Sequence, residues 1–487
     1  MISERFRREL RQESEQWWHE GLIDAALYEK LAERYQFAQL EGEASNRFIT
    51  ILMGLGAVLL GLGAVTFVAA NWQVWSRSLK LVLLLSSFVG VNAAGFYLWR
   101  KPKTQPGLQR LGHGLLLGGA LFLGANLGLV SQMFHQSGDA YELFLIWGLG
   151  VTVMAYSLRL ASLGVLSIIL VTIAYFFSWG SSTVWQAFSG TSIAIQHLPL
   201  VLAGVFVPLA YWCRSRVIFG LSAIALAIAF VGNFKPYMTW SQGWLLAIAF
   251  VLPPALLWSY SDRLWHFAPL RHSNPHPSSP PQPPTPNPHP PKDPFQPISR
   301  SLALCFLSIL FYVFAFHYWW QMRPDATSSM LVNWNWQPLL DAVILGIVAG
   351  LGWFQLRFQL FSRRPQERVV NTKLVAVLLL ITAAVLIWHS KAFPVAPLIL
   401  NVLLFALAIG LIRDGLALTQ RSTFWGGMVL LVLGIVSRSL EYNTGLLLKS
   451  IVLLLCGVGV IAAGLWFERR LLPHRTTALP HSSQESP

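Results

Sequence analysis

The chain has 487 residues, a formal net charge of +14 and a pI near 10.0. Hydrophobic residues make up 54% of it and charged residues only 11%, where a soluble domain carries about a quarter charged residues. That balance, together with apolar runs of about twenty residues along almost the whole length, excludes an ordinary soluble domain. In lipid every backbone amide needs an internal partner, so such runs must be helices; a barrel would show short alternating segments instead. The expected fold class is all-α: a polytopic transmembrane helical bundle of about 14 spans, with a short cytoplasmic N-terminal helical hairpin.

Residues 1–48 hold no apolar h-region, so no cleavable leader is expected. "FRRELRQESEQWWHEGLIDAALYEKLAERYQF", residues 6–37, reads as two amphipathic helices broken at Gly21. Leu10 and Trp17, then Leu27, Leu31 and Tyr35, supply apolar faces. Gly21 suits a helix C-terminus and Asp24 an N-cap. A hairpin this small has no stable core of its own. It is expected to clip onto the membrane, the inner loops or a second copy of the chain; binding another protein is the alternative.

Spans follow near residues 49–70, 79–99, 111–131, 141–158, 160–179, 196–212, 217–234 and 243–259, and then near 301–320, 338–356, 372–388, 393–412, 422–437 and 447–467. Between the two groups, residues 269–297 hold 13 of the 28 prolines. They read as a polyproline-like tether, with docking of a partner through its PxxP stretches as the alternative. The expected organisation is a hairpin (1–48), a first bundle (49–267), a Pro-rich cytoplasmic linker (268–299), a second bundle (300–468) and a disordered cytoplasmic tail (469–487).

Charge tests the threading. With the N-terminus in the cytoplasm, of the 35 Lys and Arg only Arg77, Lys80, Lys235, Arg323, Lys391, Arg438 and Lys449 fall outside. The positive-inside rule therefore favours an even number of crossings with both termini cytoplasmic. The bases are dispersed by topology and meet anionic headgroups, which rejects nucleic acid as a partner and leaves the lipid bilayer.

Within this frame the polar residues are few. The first run ends "FVAANWQVWSRSLK", placing Asn71, Trp72 and Trp75 at the headgroup layer, where Trp concentrates and an amide caps carbonyls at little cost. The second outer loop, "SQMFHQSGDAYE", brings Gln132, His135, Asp139 and Glu142 close together in sequence. His and carboxylates can perform acid–base work or hold a metal, with His197, His317 and His389 converging on the same rim. Capping and solvated contacts at a helix start are the plainer reading. Asn126 lies within a span, in "GGALFLGAN", a weak echo of "GAVTFVAAN" in the first. Asn71, Asn126 and Gln132 are expected to face protein. Gly114, Gly118, Ala120, Gly124 and Gly128 recur every four residues or so, as do Gly54/Gly61 and Gly56/Gly63 every seven, spacings that let helix backbones approach. Cys213, Cys305 and Cys456 show no CxxC or His-paired spacing and read as small buried hydrophobes. No cofactor or metal signature is present.

Three blocks in order, "WWHEGLIDAALYEKLAERY", "GLGAVTFVAANWQVWSRSLK" and "SQMFHQSGDAYELFLIW", resemble the domain-of-unknown-function family 2157 of bacterial membrane proteins over about residues 10–150. The tail "SRSLEYNTGLLLKSIVLLLCGVGVIAAGLWFERR" resembles the C-terminal helices of such proteins. The chain departs from the family in its long proline tether and in Phe134, where the family commonly has Tyr. The resemblance implies membrane location and architecture and brings no catalytic residues. The acids avoid the middle of the spans: Glu142 and Asp341 begin spans, Asp414 follows one and Glu441 lies in a loop. That disfavours a proton-coupled pump. A membrane scaffold, assembly or sensing component is expected first, a passive or neutral-solute carrier second, and an enzyme with an outer-face His/Asp site third.

Overall fold

The computed structural model describes residues 4–35, 70, 74–101, 106–134, 138–181, 184, 189–235, 243–262, 295–321, 336–361, 370–388, 395–418, 420–442 and 445–471. No strand occurs among them. The chain divides into two compact units, Met1–Gly90 and Val91–Pro487.

The first unit carries the expected hairpin, α1 (Glu4–His19) and α2 (Ala25–Tyr35). Gly21 takes φ +74°, and the Leu22 and Gly21 amides return to the Trp17 and Trp18 carbonyls, closing α1 as a left-handed glycine does. Asp24 Oδ1 accepts the Leu27 amide at 2.8 Å and caps α2. The two helices are joined by a stack of Trp18 on Tyr28, with centroids 5.4 Å apart. Tyr28 donates to Glu15 at 3.3 Å, and Arg11 Nε donates to the same carboxylate at 2.8 Å. α2 buries nothing, and Trp18, Leu22 and Leu27 remain exposed.

Beyond the hairpin come α3 (Arg77–Trp99), α4 (Pro106–Met133), α5 (Ala140–Leu158), α6 (Ala161–Ser178), α7 (Gly190–Gln196), α8 (Leu198–Trp212), α9 (Arg216–Asn233) and α10 (Gly243–Ser259). After the proline-rich stretch stand α11 (Gln296–Phe314), α12 (Gln337–Phe361), α13 (Thr372–Ile387), α14 (Val395–Ala417), α15 (Arg421–Glu441) and α16 (Leu446–Leu471). Ten of these are long and apolar enough to cross a membrane, eleven if the bent pair α7–α8 serves as one. α10 and α13 are shorter apolar helices. The molecule is thus an all-α, multi-pass membrane protein. Two expectations change. The span near 196–212 is a broken helix, and the span near 49–70 lies outside the described residues.

Small residues and hydroxyls set the tight contacts. Gly148 of α5 lies against Val171 of α6, whose Cγ2 a Cβ would meet at 2.7 Å. The Ser167 and Thr152 hydroxyls both donate to the Gly148 carbonyl, at 2.7 and 2.8 Å. On α4 the expected small residues divide: Ala120 is fully buried and Gly124 lies against Trp147, whereas Gly114, Gly118 and Gly128 face open space. Gly112 and Gly119, which the spacing passed over, meet Trp99 and Asn92. Of the cysteines, Cys305 is exposed rather than buried.

α10 packs on α11, α12 and α13, so the core is continuous across the proline-rich stretch. Asp262, fully buried, closes that stretch at its ends. Its Oδ2 accepts the Phe295 and Gln296 amides at 3.2 Å each, and its Oδ1 accepts the Tyr211 hydroxyl. A carboxylate at the first amides of α11 satisfies donors the helix cannot. Asp414 does the same for the approach to α13, accepting the Val370 amide at 3.0 Å.

Candidate functional site

The break between α7 and α8 follows from its sequence, "SGTSIAIQHLPL". Ser189 and Ser192 form a reciprocal capping box that starts α7. Pro199 has no amide for the Ile195 carbonyl and disfavours helical backbone at the residue before it, so the helix stops at Gln196. Pro199 is equally suited to a first turn, and α8 begins there at 83° to α7. Residues Leu202–Phe206 then form a π-helical turn ahead of Pro208. The Tyr156 hydroxyl donates to the Val205 carbonyl inside that widened turn, at 2.5 Å.

His197 stands alone between the two half-helices, at φ −98° and ψ 29°. Its Nδ1 lies 2.6 Å from Asp341 Oδ1, one turn into α12. The His197 side chain is 19% exposed and that of Asp341 1%. Asp341 therefore differs from Asp262 and Asp414, whose charges are answered by backbone amides. Among the described residues a single imidazole answers it, and its Oδ2 is buried without a hydrogen-bond partner there.

Buried polar groups continue from this point. The Asn233 amide donates to the Gln196 carbonyl at 2.7 Å, and the Tyr175 hydroxyl lies 2.9 Å from Asn233 Oδ1. Gln196 Nε2 donates to the Val184 carbonyl at 2.5 Å, while its buried Oε1 has no hydrogen-bond partner among the described residues. The elbow is thus wired into α6 and α9 on one side and α12 on the other. A second cluster sits at the end of α11. There Arg438 and Asn401 donate to the Ala315 carbonyl at 2.6 and 3.2 Å, and Glu441 pairs with Arg438 and accepts the His317 amide at 2.7 Å.

Of the residues expected to form a site, Asn71, Trp72 and His135 lie outside the described residues. Asn126 is buried, as expected, and donates to the Phe122 carbonyl of its own helix at 2.8 Å. Gln132 is exposed, contrary to expectation, because it falls on the open face of the last turn of α4. Asp139 begins α5 but makes no side-chain cap; it accepts Ser181 Oγ at 2.5 Å. Glu142 accepts the Thr191 hydroxyl at 3.0 Å and the Tyr141 hydroxyl at 3.3 Å. Both carboxylates tie α5 to the segment leading into α7, which is a structural task. His197 and His317 do not converge on them, since each has its own carboxylate, and His389 lies outside the described residues. No three His, Cys, Asp or Glu are placed to share a metal ion among the described residues. Sequence reasoning missed the His197–Asp341 pair, although an isolated acid one turn inside an apolar run and an isolated His beside Leu-Pro were visible.

The comparisons with known proteins reach only part of this architecture. Residues 15–164 match the family described as Predicted membrane protein (DUF2157). The match agrees with the resemblance carried by the hairpin and the two motifs after it. It includes Asn126, Gln132, Asp139 and Glu142 and ends within α6, ahead of His197 and Asp341. No curated protein and no solved structure matches the chain.

Proposed function

We propose that this is a scaffold or sensing component of the bacterial cell (inner) membrane, with both termini cytoplasmic, whose responsive element is the latched elbow at His197. The His197–Asp341 pair carries the reading. It joins a broken helix to a helix from the far side of the proline-rich stretch, a polar fastening beside the apolar packing of Ala342 and Leu345. Removing one partner of a buried pair is costly, and in this reading the sensed signal does so by releasing the elbow from Asp341. The uneven distribution of Lys and Arg supports the sidedness. The uncovered Trp18, Leu22 and Leu27 of the hairpin supply a cytoplasmic surface through which a protein partner or a second copy would read the elbow.

A neutral-solute carrier is the second reading, favoured by the same break, since discontinuous helices build many carrier sites. Against it, two grooves of about 650 and 690 Å³ are lined almost wholly by apolar side chains, which suit lipid better than a hydrophilic solute. One experiment separates the two. The full chain, Asp341→Asn and a hairpin deletion (residues 4–35) are compared in cells for phenotype and in proteoliposomes for uptake of neutral solutes. The scaffold or sensor reading expects the hairpin deletion and Asp341→Asn to share a phenotype, with no flux above empty vesicles. Flux that Asp341→Asn abolishes and the hairpin deletion leaves intact would replace it with the carrier.

A further inference from the structure

A groove of about 650 Å³ opens between α9 and α11, beside the exposed apolar side chains Ile224, Ile228 and Ile309, with Phe250 and Leu257 of α10 also lining it. This is within the range of about 300–1,000 Å³ typical of ligand pockets. Its floor on α9 is made by Ala223 and Ala227, and its rims by Ile224, Ile228 and Ile309, which stay exposed. The small floor residues are what make it a recess; larger ones would level it with the rims.

Its polarity is confined to one end. Trp179 and Lys235 line the groove where α9 finishes, with the Lys235 ammonium 4.9 Å from the Trp179 ring centroid. Lys235 makes no salt bridge with any described residue, so among them no carboxylate answers its charge. A Trp beside a Lys is the pairing expected at headgroup depth. From that end the groove runs along α11 from Val313 to Leu302. At about 1.5 Å per residue this is roughly 16 Å. The hydrocarbon core is about 30 Å thick, so the groove reaches about the depth of one leaflet. A second groove of about 690 Å³, between Trp244 and Trp336, has no charged lining residue and hence no such anchor.

Length, apolar lining and a single cation at the headgroup end select one occupant. We propose that the α9–α11 groove is a binding site for an anionic phospholipid, with one acyl chain lying over Ala223 and Ala227 and the phosphate at Lys235. The site holds a lipid as a fixed part of the bundle and does not depend on the elbow at His197.

The full chain, extracted in a mild detergent, is titrated with phosphatidylglycerol and phosphatidylethanolamine and read by native mass spectrometry. The wild type is expected to retain one phosphatidylglycerol in preference to phosphatidylethanolamine. Lys235→Gln, a surface change that leaves the fold intact, lowers that preference about fivefold. Ala227→Phe removes retention of either lipid. A photoactivatable acyl chain cross-links to the peptide holding residues 302–313 in the wild type, and not in Ala227→Phe. Equal retention of the two lipids by the wild type, an unchanged preference in Lys235→Gln, or cross-links elsewhere would each overturn the assignment. Should Ala227→Phe fail to fold, Lys235→Gln and the wild-type cross-link decide alone.

Discussion

Buried carboxylates in this bundle are answered in two ways. Asp262 and Asp414 sit where helices begin and accept backbone amides, which are always present and never titrate. Among the described residues Asp341 relies on one side chain, His197, and keeps an unmatched oxygen. Removing either member leaves the other desolvated, so His197→Ala and Asp341→Ala should each destabilise the protein by about 3 kcal/mol. The double variant should fall well short of the sum, because the second change removes a group already stranded. Detergent-phase unfolding of the four proteins measures this; additive losses would show that the pair is not a unit. A second expectation concerns Glu15. The hydrogen bond from Arg11, with the charge of Arg11 and the Tyr28 hydroxyl assisting, holds this carboxyl below its usual range. A lowered carboxyl contributes stability above its ordinary value, and the contribution is lost as pH falls through the depressed one. Spin labels at Glu13 and Glu29 should report a hairpin that loosens below about pH 4. Glu15→Gln should make that distance independent of pH.

Helices, and the faces they bury, were legible to different degrees. Every predicted span from 79–99 onward corresponds to a helix or to the bent pair, because runs of Leu, Val and Ile in lipid leave the backbone no other way to pair. The caps at Gly21 and Asp24 were legible too, since each acts within a few residues of itself. The glycine face of α4 was legible only in part. The every-four spacing included Ala120 and Gly124, which pack, but also Gly114 and Gly118, which meet nothing, and it passed over Gly112 and Gly119. Which stripe is buried depends on where Trp99, Asn92 and Trp147 project, and those lie on other helices. Gly124→Ala puts a methyl within 2.3 Å of the Trp147 ring and should cost about 1–3 kcal/mol. Gly118→Ala meets nothing and should be neutral or mildly stabilising, since alanine is the better helix former. Thermal unfolding of the two variants tests this; equal effects would count against the assigned face.

At the scale of the whole molecule, the contacts that matter join residues far apart in sequence: His197 to Asp341, Arg438 to the carbonyl of Ala315, Tyr211 to Asp262. No local pattern announces them, which is why the candidate site read from one outer loop resolved into separate fastenings. The proline tract read as a spacer between two bundles, yet α10 packs on helices from beyond it and Asp262 grips the amides of Phe295 and Gln296. With those two points held together by the fold, the peptide between them has no part in bringing them together. Two polypeptides made separately, one ending after residue 262 and one starting before residue 295, should find each other in the membrane and purify as a single complex. Asp262→Ala should weaken that reunion far more than it weakens the uncut chain. The same closure makes this a place where evolution, or an experimenter, can insert a guest domain without disturbing the helices on either side.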